Sequence, residues 1–474
     1  MLAVALLAGQ LHAVACTVGK ANLGATCGTY TVYEDRAARS GRVLPLKFIV
    51  IKAAHPSGRA LAFNPGGPGA SSTVTAGAIA DGLFFRYFQR LHDRYDILLV
   101  DNRGTGESAP LACDFAPASS PQLYFRQLWP DSLVRQCRAE LATRANLSLY
   151  STSVAVDDLD ELRAALGYSK LVLNGGSYGT TFFLDYARRH PASVESLVLI
   201  GVAPPHFIII PLQDAQGAQL SIDRLIAECK SDANCDRSFP SLETHFQALV
   251  QRFDKGEISV PLRNATTKRI AVVRLSKEVF TDRLRQLLYY PANAKYAPFI
   301  IDRAYRGNYM PLATMVDVVS RGFATLLAEG LNLSVTCAED DPFITRGAIQ
   351  RTSSDSFEGD LRVRAQQRAC RIWNVKPVPA AFAEPVRSDA PILMISGSDD
   401  PTSPAKFARE ALPYLPNARI LLIRNGSHGT ETECSDRLVA EFVSAGGARG
   451  LDLESCGGAY HRPPFATSME GFGD

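Results

Sequence analysis

The stretch LVLNGGSYGTTF, Leu171 to Phe182, decides the fold. Leu171, Val172 and Leu173 read as a buried strand, and Thr180 to His190 reads as a helix stopped by Pro191. Between them stands Ser177, with Gly175 and Gly179 two positions to either side. A glycine-rich turn alone would be unremarked. With a strand before it and a helix after it, the pattern becomes G-x-S-x-G, the sharp turn that holds a serine in a strained conformation at the top of an α/β sheet.

The surrounding sequence has the matching rhythm. Residues 43–53 and 60–64 are strand-like, and 95–108 is a strand running into a turn at Gly104 and Gly106. Residues 154–167 form a helical pattern with Ala155, Leu159, Leu162 and Leu166 on one face and Gly167 as its stop. A further strand at 196–205 follows the Ser177 helix, and this alternation implies a parallel, doubly wound sheet. The rhythm stops at Pro204-Pro205 and resumes only with PILMISG, 391–397, then the strand 418–424 and the helix 435–447. The interval of roughly 185 residues is far too long for a loop. It carries its own amphipathic runs at 242–253, 278–290 and 311–330, and a candidate hairpin at 257–275. The expected plan is a core in two parts, 16–205 and 389–474, interrupted by a mainly helical cap, 206–388.

A chain of 474 residues is too long for one compact core, and 46% apolar with 21% charged residues is ordinary globular composition. Fifty Lys and Arg against 48 Asp and Glu leave a net charge of +2, which gives no footprint for nucleic acid. No apolar run reaches the roughly 18 to 20 residues needed to span a bilayer. MLAVALLAGQLHAVAC is apolar from Leu2 to Leu11, and Ala13-Val14-Ala15 has the form of a signal-peptidase site. Residues 1–15 are therefore expected to be a signal peptide, although no Lys or Arg precedes Lys20. Ala15-Cys16 also weakly resembles a lipoprotein site, with Ala13 where such sites usually carry leucine.

The ten cysteines fall in neighbouring pairs: Cys16 and Cys27, Cys113 and Cys137, Cys229 and Cys235, Cys337 and Cys370, Cys434 and Cys456. An even count behind a signal-like segment fits disulfides and a secreted or periplasmic protein. Spacing leaves the connectivity open, with sequential pairing the simplest choice. There is no C-x-x-C, no H-E-x-x-H and no Cys/His cluster of zinc spacing, so neither a metal nor a cofactor is implied.

A nucleophilic serine needs a base, and the base an orienting carboxylate. On sheets of this kind the acid and then the histidine follow the serine in the chain. Asp399 and Asp400 end the resumed strand, in GSDDPTSP. Of eight histidines only His428 and His461 lie beyond them. His428 sits in a turn directly after the strand 418–424, whereas His461 lies in a Gly/Pro-rich tail, so His428 is the expected base. An oxyanion hole requires two N–H groups: one after the nucleophile, at Tyr178, and one from an earlier loop. NPGGPGASS, 64–72, is the candidate, because it follows the strand ALAF and its glycines let backbone approach a substrate closely, and it lacks both phosphate-loop patterns.

Together NPGGPGAS, DNRGTGESAPLAC, GGSYGTTF, CAEDDP, CRIW, GSDDPTSP and GSHG resemble the prolyl and tripeptidyl aminopeptidase group of α/β-hydrolases, most of all its secreted bacterial tripeptidyl-aminopeptidase-like branch. The resemblance runs from about Cys27 to Cys456. It implies an α/β-hydrolase fold, a doubly wound mostly parallel sheet with an inserted, mainly helical cap. It also implies Ser177 as nucleophile, His428 as base and Asp400 as acid, preferred to Asp399 because the acid precedes a proline, here Pro401. The N–H groups of Gly67 and Tyr178 take the oxyanion positions. There are two departures: Asn64-Pro65 replaces the histidine that opens this loop in prolyl aminopeptidases, and Ser427 stands where many relatives have glycine.

The activity so implied is that of a secreted serine aminopeptidase acting on a peptide with a free N-terminus. The triad itself fits a carboxylesterase or lactonase equally well. A non-catalytic binding module on this fold usually lacks a triad member. An aminopeptidase must read its substrate's ammonium, and CAEDDP offers Glu339, foremost by a Cys-x-Glu context shared with relatives, and Asp340. Trp373, in CRIW, is expected as an apolar wall nearby, with Cys337–Cys370 pinning this part of the cap and Cys434–Cys456 the tail.

Overall fold

The computed structural model describes residues 8–115, 121–125, 128–206, 210–263, 270–324, 326–458 and 460–473. Its strands, in chain order, are β1 (Leu11–Val18), β2 (Leu23–Tyr33), β3 (Val43–Ile51), β4 (Arg59–Asn64), β5 (Tyr95–Val100), β6 (Leu171–Gly176), β7 (Val194–Ile200), β8 (Ile258–Arg263), β9 (Ile270–Leu275), β10 (Ile392–Gly397) and β11 (Ala418–Ile423). Nine of them make one sheet in the order β1-β2-β3-β5-β4-β6-β7-β10-β11. From β1 to β5 the neighbours are antiparallel, and from β5 to β11 they are parallel. The buried strands β4, β5, β6, β7 and β10 are nearly continuous apolar runs, because helices cover both faces. The site-bearing loops all leave the carboxyl ends of the parallel strands, where sheets of this type hold their ligands.

The N-terminal strands β1 and β2 escape the sequence reading. Leu11–Ala15, within the segment expected to be removed, lie in β1, which pairs from Leu11 with Tyr30 to Val18 with Leu23. Cleavage between Ala15 and Cys16 would cut this strand in its middle. β1 is mostly exposed, so it lacks the apolar alternation that announces a strand.

Residues 206–388 divide between two apolar clusters. Ile222, Leu249, Phe280, Leu284, Ile301 and Met315 belong to a cluster separate from the sheet. The helices Glu329–Glu339 and Leu361–Trp373 instead place Leu331, Leu333, Ala365 and Trp373 in the cluster that includes β4 and β6 residues. The run 311–330, expected as one helix, accordingly breaks into Met310–Ala324 and Glu329–Glu339. Between them Leu327 bridges Ala70, and Ala328 N–H donates to the Gly69 carbonyl at 2.9 Å. The pairing of β8 with β9 matches the expected hairpin, whose turn, 264–269, lies outside the described residues.

Disulfides join Cys16–Cys27, Cys113–Cys137, Cys229–Cys235, Cys337–Cys370 and Cys434–Cys456. Among the described residues no helix is long and apolar enough to cross a membrane.

Candidate active site

Ser177 stands between β6 and the helix Tyr178–Arg189 with φ +53° and ψ −124°, a strained conformation for any residue but glycine. The glycines around it are steric necessities. A Cβ at Gly175 would lie 2.4 Å from the Gly179 carbonyl oxygen, and one at Gly179 2.2 Å from that of Asn64. The loop after β4 presses on the same turn: a Cβ at Gly66 would lie 3.0 Å from Ser177 Cβ and 3.1 Å from Tyr178 N. Among the described residues neither the Gly67 nor the Tyr178 N–H is donated to a carbonyl outside its own element.

Asp101, fully buried at the end of β5, fixes this loop. It accepts from Ser71 Oγ (2.7 Å), Thr73 N (3.0 Å), Thr73 Oγ1 (2.8 Å) and Glu107 N (3.0 Å). Asn332 adds a bond from its Nδ2 to the Pro68 carbonyl at 3.2 Å. In the sequence Asp101 stands in DNRGTGES with no role assigned to it. The signal available was its place at a strand end beside Gly106, where a Cβ would come within 2.0 Å of its carboxylate.

On the other side of the cavity His428 Nδ1 lies 2.8 Å from Asp400 Oδ2. Asp400 is fully buried and accepts from Thr402 N (2.9 Å), Ser403 N (2.8 Å) and Ser403 Oγ (2.8 Å). Burial pushes the Asp400 carboxyl up, but His428 and these N–H donors outweigh it and hold the carboxyl below its ordinary value. Burial likewise pulls His428 down, and Asp400 more than restores it, so the imidazole lies above its ordinary value. With Nδ1–H donated to Asp400, Nε2 keeps its lone pair, an assignment made from the hydrogen bonds. The neighbouring Asp399 is otherwise engaged, by Arg224 at 2.9 Å and Arg462 at 2.8 Å. Gly201, at φ +64°, leaves room for the imidazole: a Cβ there would lie 3.0 Å from His428 Cε1.

Ser177, Gly67, Tyr178, His428, Glu339 and Asp340 all line one cavity of about 1000 Å³. Glu339 is buried and spends both oxygens on Thr152, on its N–H and its hydroxyl, each at 2.6 Å. Thr152 Oγ1 in turn lies 2.6 Å from the Tyr178 hydroxyl, so Glu339 braces the residue after Ser177. Asp340 is partly exposed, and among the described residues nothing donates a hydrogen bond to its carboxylate. Burial raises both carboxyls to about 8, with Asp341 adding to Asp340 and Asp340 to Glu339.

Trp373 does not form the expected wall. It is fully buried in the sheet-side cluster, with Nε1 donating to Ser334 Oγ at 3.0 Å, because the inward-facing Cys370 three positions earlier fixes its helix phase. Trp129 lines the cavity instead, with Nε1 3.3 Å from Glu329 Oε2 and the Arg362 guanidinium 4.8 Å over its ring. Among the described residues no group of three or more His, Cys, Asp or Glu is disposed to hold a metal ion.

Residues 59–430 match the family described as the alpha/beta hydrolase fold. The chain belongs to the alpha/beta hydrolase family. It is 26% identical to the serine protease Hip1 of Mycobacterium tuberculosis over 459 residues, covering 89% of this chain and 85% of that protein. A proline iminopeptidase of Xylella fastidiosa is 30% identical over 150 residues, 31% of this chain and 34% of that protein. Among solved structures, the proline iminopeptidase of Mycobacterium smegmatis matches with a TM-score of 0.39 and 14% identity, over 88% of this chain and 98% of that one. For this alpha/beta hydrolase, family and relatives together support a serine hydrolase.

Proposed function

We propose that the chain is an exported serine aminopeptidase that removes a residue or short peptide from free N-termini. Ser177 is the nucleophile, His428 the base and Asp400 the orienting acid. As Ser177 Oγ adds to the scissile carbonyl carbon, its proton passes to His428 Nε2. The carbonyl oxygen becomes an oxyanion bound by the Gly67 and Tyr178 N–H groups, worth about 3 to 4 kcal/mol each. Collapse breaks the C–N bond, and His428 returns the proton to the departing amine. Water then repeats the sequence on the acyl-serine, releasing the N-terminal fragment and restoring Ser177.

The observation that carries the aminopeptidase reading is Asp340. Among the described residues no side-chain or backbone donor reaches the Asp340 carboxyl at the wall of the Ser177 cavity, which leaves its oxygens open to a cationic group. A substrate ammonium supplies charge and three N–H donors. Glu339, the first choice from sequence, braces Tyr178 through Thr152, and the adjacent Asp340 receives the amine. Five disulfides support export to an oxidising compartment.

The test is a panel of aminoacyl, dipeptidyl and tripeptidyl anilides, each with a free and an acetylated amine, beside small acyl esters. Free-amine anilides are expected to turn over and their acetylated counterparts to fail. Equal turnover of both would remove amine recognition, and activity confined to esters would make the chain a carboxylesterase or lactonase.

A further inference from the structure

The helices Asp131–Ala142 and Leu361–Trp373 leave between them a concavity of about 520 Å³ that shares no lining residue with the Ser177 cavity. Arg135 and Arg138 line it from the first helix, and Arg368 and Arg371 from the second. Against these four guanidinium groups the wall holds one carboxylate, Asp131. That carboxylate is already divided, 3.3 Å from Arg368 Nε and 3.6 Å from Arg135 Nη2. Glu278 stands behind Arg368 at 3.7 Å. Arg368 Nε is buried without an aligned hydrogen-bond acceptor. Arg371 is exposed and among the described residues forms no ion pair, although its charge reaches Asp341 and draws that carboxyl down against burial.

The helices that carry this surplus are held in place. Cys137, joined to Cys113, immediately precedes Arg138, and Cys370, joined to Cys337, immediately precedes Arg371. Arg138 Nε is also anchored on the Trp373 carbonyl at 2.6 Å. Like charges gathered on two stapled helices repel one another, and the bound partner that relieves them is an anion. Each guanidinium offers a planar fork of donors that fits two oxygens at once. A single carboxylate would occupy one fork, whereas a group with several anionic oxygens can engage forks from both helices. Because disulfides restrict both helix backbones, the ordering that opposes binding is confined to the arginine side chains.

We propose that this concavity binds a multivalent oxyanion of the phosphate type, either a soluble oligophosphate or the headgroup of an anionic phospholipid. Pyrophosphate titrated calorimetrically at low salt, and cosedimentation with vesicles of phosphatidylglycerol set against phosphatidylcholine, distinguish the two sources. The full-length protein is expected to bind at least one probe, and to bind it more weakly as salt screens the arginines. The double variant Arg135→Ala, Arg371→Ala is expected to weaken that binding by about tenfold or more. Should the double variant fail to fold, Arg371→Gln, whose side chain anchors nothing, makes the same comparison. Loss of pyrophosphate binding in the variant supports a soluble ligand, and loss of vesicle binding alone supports a headgroup. No binding of either probe, or binding that the variants retain in full, would overturn the proposal.

Discussion

Arg285 Nη1 lies 2.9 Å from Thr402 Oγ1, so a buried cap guanidinium is bonded to the loop that carries Asp400. Thr402 also gives its N–H to Asp400 Oδ1 at 2.9 Å, and its hydroxyl lies 2.7 Å from that of Tyr289. Three residues past Arg285, the Leu288 carbonyl accepts from Ser427 Oγ at 2.6 Å, beside His428. One turn of the cap therefore grips both the acid loop and the base loop.

Thr402→Val tests this grip, because it keeps the N–H to Asp400 and removes the hydroxyl. Leaving Arg285 and Tyr289 short of a partner should cost about 1 to 3 kcal/mol of stability. The turnover number should fall, because the hydroxyl that ties the Asp400 loop to Arg285 and Tyr289 is gone. An unchanged turnover number at a lowered melting temperature would reduce the turn to a structural role. Arg285→Ala should be far worse: it strands Glu358, 3.3 Å away, and takes one of several partners from Asp282, 2.8 Å away, and breaking such a buried network costs about 3 to 5 kcal/mol.

Ser177→Ala and His428→Ala are each expected to lower turnover about 10⁶-fold if the three residues act as a unit, and Asp400→Asn about 10⁴-fold. The pH dependence follows from the pair. His428 must be neutral to accept the Ser177 proton, and Asp400 holds its pKa above the ordinary value of 6.5. Activity should therefore rise with pH through a limb above 6.5, and Asp400→Asn should move the residual limb to lower pH. The pair also acts on stability. Its charged His428 contributes below 6.5 and is lost as pH rises through the elevated value, while Asp400 contributes above 3.8 and is lost as pH falls through its depressed one. A pH–rate profile of the wild type and Asp400→Asn decides the first point.

What the sequence discloses divides along local and through-space information. Ser177 is legible because strand, turn and helix are consecutive and their glycines are required by clashes within one short segment. Asp400 and His428 are legible because chain order leaves few choices after the last core strands. Asp101 is not, because three of its four donors come from Ser71 and Thr73, brought near only by the neighbouring positions of β4 and β5 in the sheet. Trp373 and Trp129 exchange roles for a similar reason. The sequence shows Trp373 near Cys370 but not that both face inward, and nothing local to Trp129 shows that it faces Glu329 across 200 positions. The break at Leu327 is equally hidden, since the apolar spacing of 311–330 continues past the point where the chain turns to meet Gly69 and Ala70.

Non-reducing peptide mapping of protein from an oxidising compartment is expected to return the five pairs of the structure. Of these, Cys337–Cys370 should bear on the amine site, because Cys337 lies two residues before Glu339 and the pair joins the helices Glu329–Glu339 and Leu361–Trp373. Replacing both cysteines by alanine should cost about 2 to 4 kcal/mol and raise KM for free-amine substrates. Replacing Cys434 and Cys456, neither of which lines the cavity, should lower stability and leave KM unchanged. A raised KM in the second pair, or free thiols at Cys337 and Cys370, would refute the assignment.

Asp340→Asn tests the amine site most directly. The carboxyl is raised from 3.8 to about 8, chiefly by burial and then by Asp341, so its carboxylate form is favoured only as pH approaches that value. A substrate amine of pKa about 8 is an ammonium below that value. Productive pairing of carboxylate with ammonium is therefore best near pH 8, and 1/KM for free-amine peptides should pass through a maximum there. Asp340→Asn should raise KM, flatten that maximum and spare a small neutral ester. Glu339→Gln should instead lower turnover on both substrates, because it disturbs the Thr152–Tyr178 brace beneath the oxyanion position. Stability carries the same sign independently of substrate. A carboxyl whose folded pKa exceeds its unfolded one binds more protons when folded, so it lowers stability as pH rises from about 4 to 8. The Asn variant, lacking that titration, should gain stability relative to wild type across this interval in pH-dependent denaturant melts. A constant difference across the interval, together with an ester loss equal to the peptide loss, would assign Asp340 to the scaffold and move the amine site elsewhere in the cavity.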